Sequence, residues 1–225
     1  MTDSRFAALD GLLAGDQAED RAVLAGTPAY VALRARDRAR REAVMALLAN
    51  GWPEAADDLY AAAWILNHGD EAREAALGSR LAGRAADLGH PKARWLAAAA
   101  LDRSLMYAGK PQKYGTNMVP DGVGYRVWDV DPATTDAERI ANDVPPLAEL
   151  QARAAATTDA QPDLAGAPEW LKPALRRWAA WRERERERGP ASPSRAAARP
   201  FRPACRAGIS PPPSARSRGR QAPRR

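Results

Sequence analysis

Three groups of residues in an otherwise alanine-rich chain are of types that do chemistry: His68, the pair Asp102-Arg103, and the run Gln112-Lys113-Tyr114-Gly115-Thr116. Packing alone rarely calls for His, Asp, Arg, Gln and Tyr together, so a shared pocket is the first functional expectation. In it Arg103 and Lys113 hold an anionic group, and Gln112, Tyr114 and Thr116 orient it by hydrogen bonds. The loop is not a nucleotide-binding P-loop, because the Gly-x4-Gly-Lys-Ser/Thr spacing is absent. The same residues fit a second class of function, a hydrolase or transferase. There His68 is the general base, Asp102 orients it, and Tyr114 or Arg103 stabilises developing charge.

Each group also has a plainer reading. Asp102 shares a helix face with Trp95, Ala98 and Leu105 and so points inward, where a charge needs a partner such as the loop after Gly109. His68 closes a helix, where the dipole and free carbonyls favour it, and His90 sits in a turn beside Pro91. With two histidines and Cys205 as the sole cysteine, neither an internal disulfide nor a cysteine-based zinc site can form, and no cofactor or metal is expected.

The elements that must position these residues are helices. Apolar residues recur at three and four, and β-branched residues are few. The pattern predicts a helix over 29–49 that stops at Asn50-Gly51. A second, with Pro53 in its first turn, runs to about His68; a third covers 71–88 and a fourth opens at Pro91 and ends near Ala108. Short turns make these antiparallel hairpins. Residues 109–146 are broken by Gly and Pro into one long loop, ordered by Tyr114, Tyr125 and Trp128, in which residues 125–130 alternate like one strand of a short hairpin. A helix follows Pro145-Pro146 to about Ala156. A last one, 170–188, carries Trp170, Leu171, Leu175, Trp178 and Trp181 on one side. The fold class is therefore all-α, arranged as a lead-in (1–28), a helical domain (29–158), a linker with a C-terminal helix (159–188), and a tail (189–225).

Of the 225 residues 28% are charged and 45% hydrophobic, with a formal charge of +6. The tail carries nine arginines and no acid, so the +6 resolves into +9 on the tail and −3 on the rest. With eight prolines and no apolar period, the tail reads as disordered. The excess of 30 arginines over 4 lysines resembles a GC-rich bacterial coding bias, which supplies Arg and Pro without selection. A read-through C-terminus is thus an alternative to a functional tail. Residues 6–15 lack the flanks of a secretory signal, and no apolar run approaches the ~18 residues needed to span a bilayer, so a soluble cytoplasmic protein is expected.

The turn Ala85-Ala86-Asp87-Leu88-Gly89-His90-Pro91 resembles the inter-helix turn of Sel1-like and tetratricopeptide hairpins. More broadly, the set Asp37-x-x-Arg40, Gly51-Trp52-Pro53, Asn67-His68-Gly69-Asp70, Leu101-Asp102-Arg103, Gln112-Lys113-Tyr114-Gly115-Thr116 and Pro145-Pro146-Leu147 resembles an uncharacterised bacterial family of unknown function over about residues 30–150. The family's loop ends in glutamine where this chain has Asn117. The resemblance implies a helical domain and a site location, not a reaction. Partners on this reading are a small anionic ligand or a protein, with nucleic acid only through the tail. Tail-borne nucleic-acid binding predicts a steep loss of affinity with salt in a filter-binding titration, abolished by removing residues 189–225; salt-independent binding would exclude it.

Overall fold

The computed structural model describes residues 4–188, so the tail reading and Cys205 lie outside the described residues. The chain is all-α. It runs as α1 (Ala8–Gln17), α2 (Pro28–Leu48), α3 (Ala56–Asn67), α4 (Ala72–Asp87), α5 (Ala93–Tyr107), α6 (Asp136–Ala141), α7 (Leu147–Ala155) and α8 (Lys172–Arg188). Between α5 and α6 stands a two-stranded antiparallel hairpin, β1 (Met118–Pro120) and β2 (Tyr125–Val127), which pairs Met118 with Val127. The described residues through Arg184 form one compact unit.

Local chemistry sets most boundaries. Thr27 accepts from the Tyr30 amide at 3.2 Å and Pro28 occupies the first turn, which starts α2. Glu71 and Glu74 close a reciprocal capping box at the head of α4. Two expectations are corrected here. Pro53 does not open α3, which begins at Ala56, because Ala55 is still extended and serves as the cap. The 109–146 loop is not wholly irregular, because Thr135 and Glu138 form a second capping box that starts α6.

α3, α4 and α5 stack as consecutive antiparallel hairpins, with α1 against α3. Leu9, Leu59, Leu66, Leu81 and Leu96 fill their common core with alanines between them. Alanine and glycine let the axes close up: at Gly78 of α4 a Cβ would lie 3.1 Å from the Ala63 carbonyl of α3. A second cluster gathers Met106, Val119, Trp128, Leu171 and Trp178 where α8 packs on the hairpin. Trp128 meets Trp170 and Trp178 edge to face, with centroids 5.6 Å apart in both cases. Trp95 and Trp181 depart from the expected inward faces at 38% and 52% exposure. α5 buries Leu96, Ala99 and Ala100 instead, and α8 buries Ala174 and Trp178.

One carboxylate fastens the long loop to the bundle. Asp102 of α5 is 0% exposed. Its Oδ1 accepts from the amides of Lys113 (2.7 Å) and Tyr114 (2.9 Å), and its Oδ2 from those of Gly115 (2.9 Å) and Thr116 (3.0 Å) and from the Thr116 hydroxyl (2.8 Å). Gly115 holds φ +93° there, and a Cβ would sit 3.2 Å from Leu147 Cδ1. Burial raises the Asp102 pKa, and the donors from Thr116, Tyr114 and Lys113 pull against it. Every group that touches it is a donor, so the loop is built around the carboxylate.

Gln112, also fully buried, ties the loop's other side. Its Nε2 donates to the carbonyls of Asn117 and Trp128, and its Oε1 accepts from the Asn117 amide, all at 3.0 Å. Asp102→Asn turns one acceptor oxygen into a donor facing donors. It should cost about 2–4 kcal/mol in urea unfolding and open the 113–116 amides to hydrogen exchange; a loss below ~1 kcal/mol would show that the loop holds without the carboxylate.

Candidate functional site

Asp102 and Arg103 are neighbours on α5, so their side chains leave the helix about 100° apart. Asp102 faces the loop. Arg103 turns instead to the C-terminal end of α3, where Nη1 donates to the Asn67 carbonyl at 2.7 Å. Its Nε and Nη2 both reach Asn117 Oδ1 at 3.2 Å. Asn117, the residue that departs from the resembled family's glutamine, is held in turn by the Ala99 carbonyl and the Thr116 hydroxyl.

The residues expected to share one pocket therefore divide. Asp102, Gln112 and Thr116 spend their polar groups inside the fold, which removes Gln112 and Thr116 from the expected ligand-binding set. Tyr114 is buried with its carbonyl on Arg139 Nε at 2.8 Å and its ring under the Lys113 ammonium, 5.3 Å from the centroid. Lys113 itself is half-exposed, 3.7 Å from Glu138. Nor does Asp102 orient His68, so the expected His68/Asp102/Tyr114 constellation is not assembled. His68 Nδ1 lies 3.1 Å from Asp16 Oδ1, at the end of α1. Asp16 also accepts from Trp64 Nε1 at 2.8 Å and from Arg21 at 2.5 Å.

Arg103 and His68 thus meet at the end of α3, inside a network of charges from α1, α2 and the start of α4. α2 supplies a stripe of charged side chains at helical spacing. Arg34 and Arg41 donate to the His68 carbonyl at 3.0 and 3.3 Å, satisfying a group that the helix end leaves free. Buried Asp37 accepts from Arg21, Arg34 and Arg40. Asp70 pairs with Arg34 and Arg41. Glu74 pairs with Arg41, and Glu19 with Arg36 and Arg40. The hydrogen bonds from Arg36 and Arg40 hold the Glu19 carboxyl down to about 2.

Among these arginines Arg103 alone has no carboxylate of the described residues within 4 Å. Its partners are a carbonyl and an amide oxygen, and its charge is unmatched. Burial lowers its pKa, and the nearby Arg34 and Arg21 guanidinia lower it further. The same field acts on His68, whose pKa is lowered first by burial and then by Arg21 and Arg103, against the raising effect of Asp16. Asp16 is pushed up by burial but falls below its usual value under His68, Arg21 and Trp64. Arg21 also lines a cavity of about 330 Å³ with Tyr30, Pro120, Tyr125 and Asp159.

Asp16, Arg21 and Arg34 lie outside the residues that the sequence singles out for the site, and Asp70 enters there only through the family resemblance. The signal for the α2 members was present, since Arg34, Asp37 and Arg41 interleave with Leu33, Val44 and Leu48 at spacings that bury them. Among the described residues no group of three or more His, Cys, Asp or Glu is placed to hold a metal ion. None of the described helices is long and apolar enough to cross a membrane. No family model, curated protein or solved structure matches this chain.

The lowered His68 pKa fixes a pH dependence. Near 6.5, its unperturbed value, the unfolded chain binds the His68 proton more readily than the folded one. This contribution to stability therefore falls as pH drops from about 6.5 through the folded value, and levels off below it. An imidazole NMR titration should show His68 midway below 6.5 and lower still in Asp16→Asn; a midpoint above 6.5 would contradict the arrangement.

Proposed function

We propose that this chain is a helical binding module, cytoplasmic and of the bacterial family it resembles, whose site takes a small anionic ligand at Arg103. The observation that carries the reading is the unmatched guanidinium. Arg103 is only partly exposed, pushed on by two other arginines, and hydrogen-bonded to neutral oxygens alone. Holding such a charge costs stability unless an anion completes it, so the arrangement favours a bound carboxylate, phosphate or similar group. Arg21 and Arg34 supply further positive field, and His68 borders the site.

A second reading, a hydrolase or transferase, draws on one observation. His68 and Asp16 stand at hydrogen-bond reach, and His68 Nε2 makes no hydrogen bond. Asp16 then fills the orienting role first assigned to Asp102. The reading needs turnover that Asp16→Asn and His68→Gln both remove, and a binding module needs none.

Arg103→Gln separates ligand capture from a structural role. Glutamine retains a donor for the Asn67 carbonyl and relieves the repulsion from Arg21 and Arg34. Free-protein stability should change by less than ~1 kcal/mol, while affinity for anions in an equilibrium-dialysis panel of carboxylates and phosphates should fall about tenfold or more. A stability loss of several kcal/mol with anion binding unchanged would make Arg103 a cap for α3 and sink the proposal.

A further inference from the structure

The ring of His68 is held so that one nitrogen can only accept. Asp16 receives donors on both oxygens, from Arg21 and Trp64, and its pKa lies below the usual carboxylate value, so it is an ionised acceptor. Nδ1 at 3.1 Å from its Oδ1 must therefore carry the proton. Trp64 packs edge-on against the imidazole, centroids 5.7 Å apart, which fixes the ring's orientation. Neutral His68 then presents a bare lone pair at Nε2. Among the described residues that atom has no hydrogen-bond partner, and it is not one of the sealed polar atoms.

Arginines hold the backbone and the carboxylate beside the imidazole. Arg34 and Arg41 hold the carbonyl of His68 itself, Arg103 holds the carbonyl of the preceding residue, and Arg21 shares Asp16 with the imidazole. The charged and titratable groups around the ring include Asp16 from α1, Arg21 before α2, Arg34, Asp37, Arg40 and Arg41 of α2, Asp70 and Glu74 at the head of α4, and Arg103 and Tyr107 of α5, whose hydroxyl donates to the Gly69 carbonyl at 3.2 Å. An acceptor set among guanidinia discriminates between anions of equal charge. An anion with no hydrogen on its oxygens places lone pair against lone pair at Nε2, whereas one with an O–H donates there while its remaining oxygens face the arginines.

We infer that the site selects oxyanions carrying their own hydroxyl donor, with the negative oxygens toward Arg103 and the O–H given to His68 Nε2. Hydrogen phosphate and 2-hydroxycarboxylates share this chemistry. The inference rests on the anion-binding reading and adds to it the identity of the ligand class. No bond is broken: the proton is shared, and the ligand leaves as it came.

Two isosteric pairs test it by isothermal titration of the full chain at pH 8, where His68 is neutral. Phosphate and sulfate are both dianions there and differ in one proton, and malate and succinate differ in one hydroxyl. The hydroxyl-bearing member of at least one pair should bind about tenfold tighter or more, the worth of one hydrogen bond against a repulsive contact. The pair that binds identifies the source of the anion. His68→Gln, whose amide can donate as well as accept, should bring that ratio near one. In the unmodified protein the malate-to-succinate ratio should also fall as the pH drops through the His68 titration and Nε2 becomes a donor; the phosphate pair is read at pH 8 only, because phosphate gains a second proton in the same range. Equal binding within every pair that binds at pH 8 would overturn the selectivity and leave the anion site standing; no binding by any of the four anions would overturn both.

Discussion

Asp102 is the constraint on which the site depends. An isolated carboxylate in a protein interior costs several kcal/mol, and four consecutive loop amides with one hydroxyl offset that cost by replacing its hydration shell. The requirement is mutual. The loop cannot bury its amides without an acceptor, and α5 cannot bury Asp102 without donors, so loop and helix lock in one register. That register sets Asn117 beside α5, and Asn117 in turn holds two nitrogens of Arg103. The position of the guanidinium at the end of α3 is thus a consequence of a bond made on another face of α5 to another part of the chain.

The charge network around α2 shows how so many arginines are accommodated. Asp37 alone engages three guanidinia, each of which also meets Asp16, Asp70 or Glu19, and Glu19, Asp70 and Glu74 hold Arg36 and Arg41. Exposed pairs of this kind contribute little individually, but Asp37 and Arg41 are buried, and each would be costly without its partners. In such a matched lattice a charge with no counterpart is informative. α3 offers its terminal carbonyls to Arg34, Arg41 and Arg103, and the first two are also matched by acids. The carbonyl at Asn67 satisfies one nitrogen of Arg103 without neutralising it.

The helices were legible because their signals are local: small-residue periodicity, Pro28 after Thr27, glycine after α2 and α4. The inward direction of Asp102 was legible from Ala98, four positions earlier on the same face, although Trp95, seven positions earlier, is exposed. What was not legible is where that face leads. Arg103 appears in sequence as the partner of Asp102, yet one residue of helical rotation sends the two to different environments. Gln112 and Thr116 have the composition of a ligand loop and the geometry of an internal clasp, and only the fold of residues 112–117 on themselves separates the two. The Asp16–His68 pair joins residues 52 apart through the packing of α1 on α3, and no spacing rule connects them. α6 was readable in principle, because Thr135 and Glu138 carry the capping-box spacing, but the glycines and prolines around it dominated the reading.

The case for a site does not rest on Arg103 alone, because a lone arginine at a helix C-terminus is a common cap. Two features at the same helix end lack an internal explanation. A cap needs a guanidinium on a carbonyl but gains nothing from two further arginines close enough to oppose its charge, and the acids at this helix end pair with those two arginines and not with Arg103. An imidazole kept in place for packing would be as stable with either tautomer. Here a buried carboxylate with only donors around it selects the one that leaves a lone pair at the unbonded Nε2. Excess positive charge and a bare acceptor are costs of opposite kind in the free protein, and one ligand that brings negative oxygens and a hydroxyl relieves both.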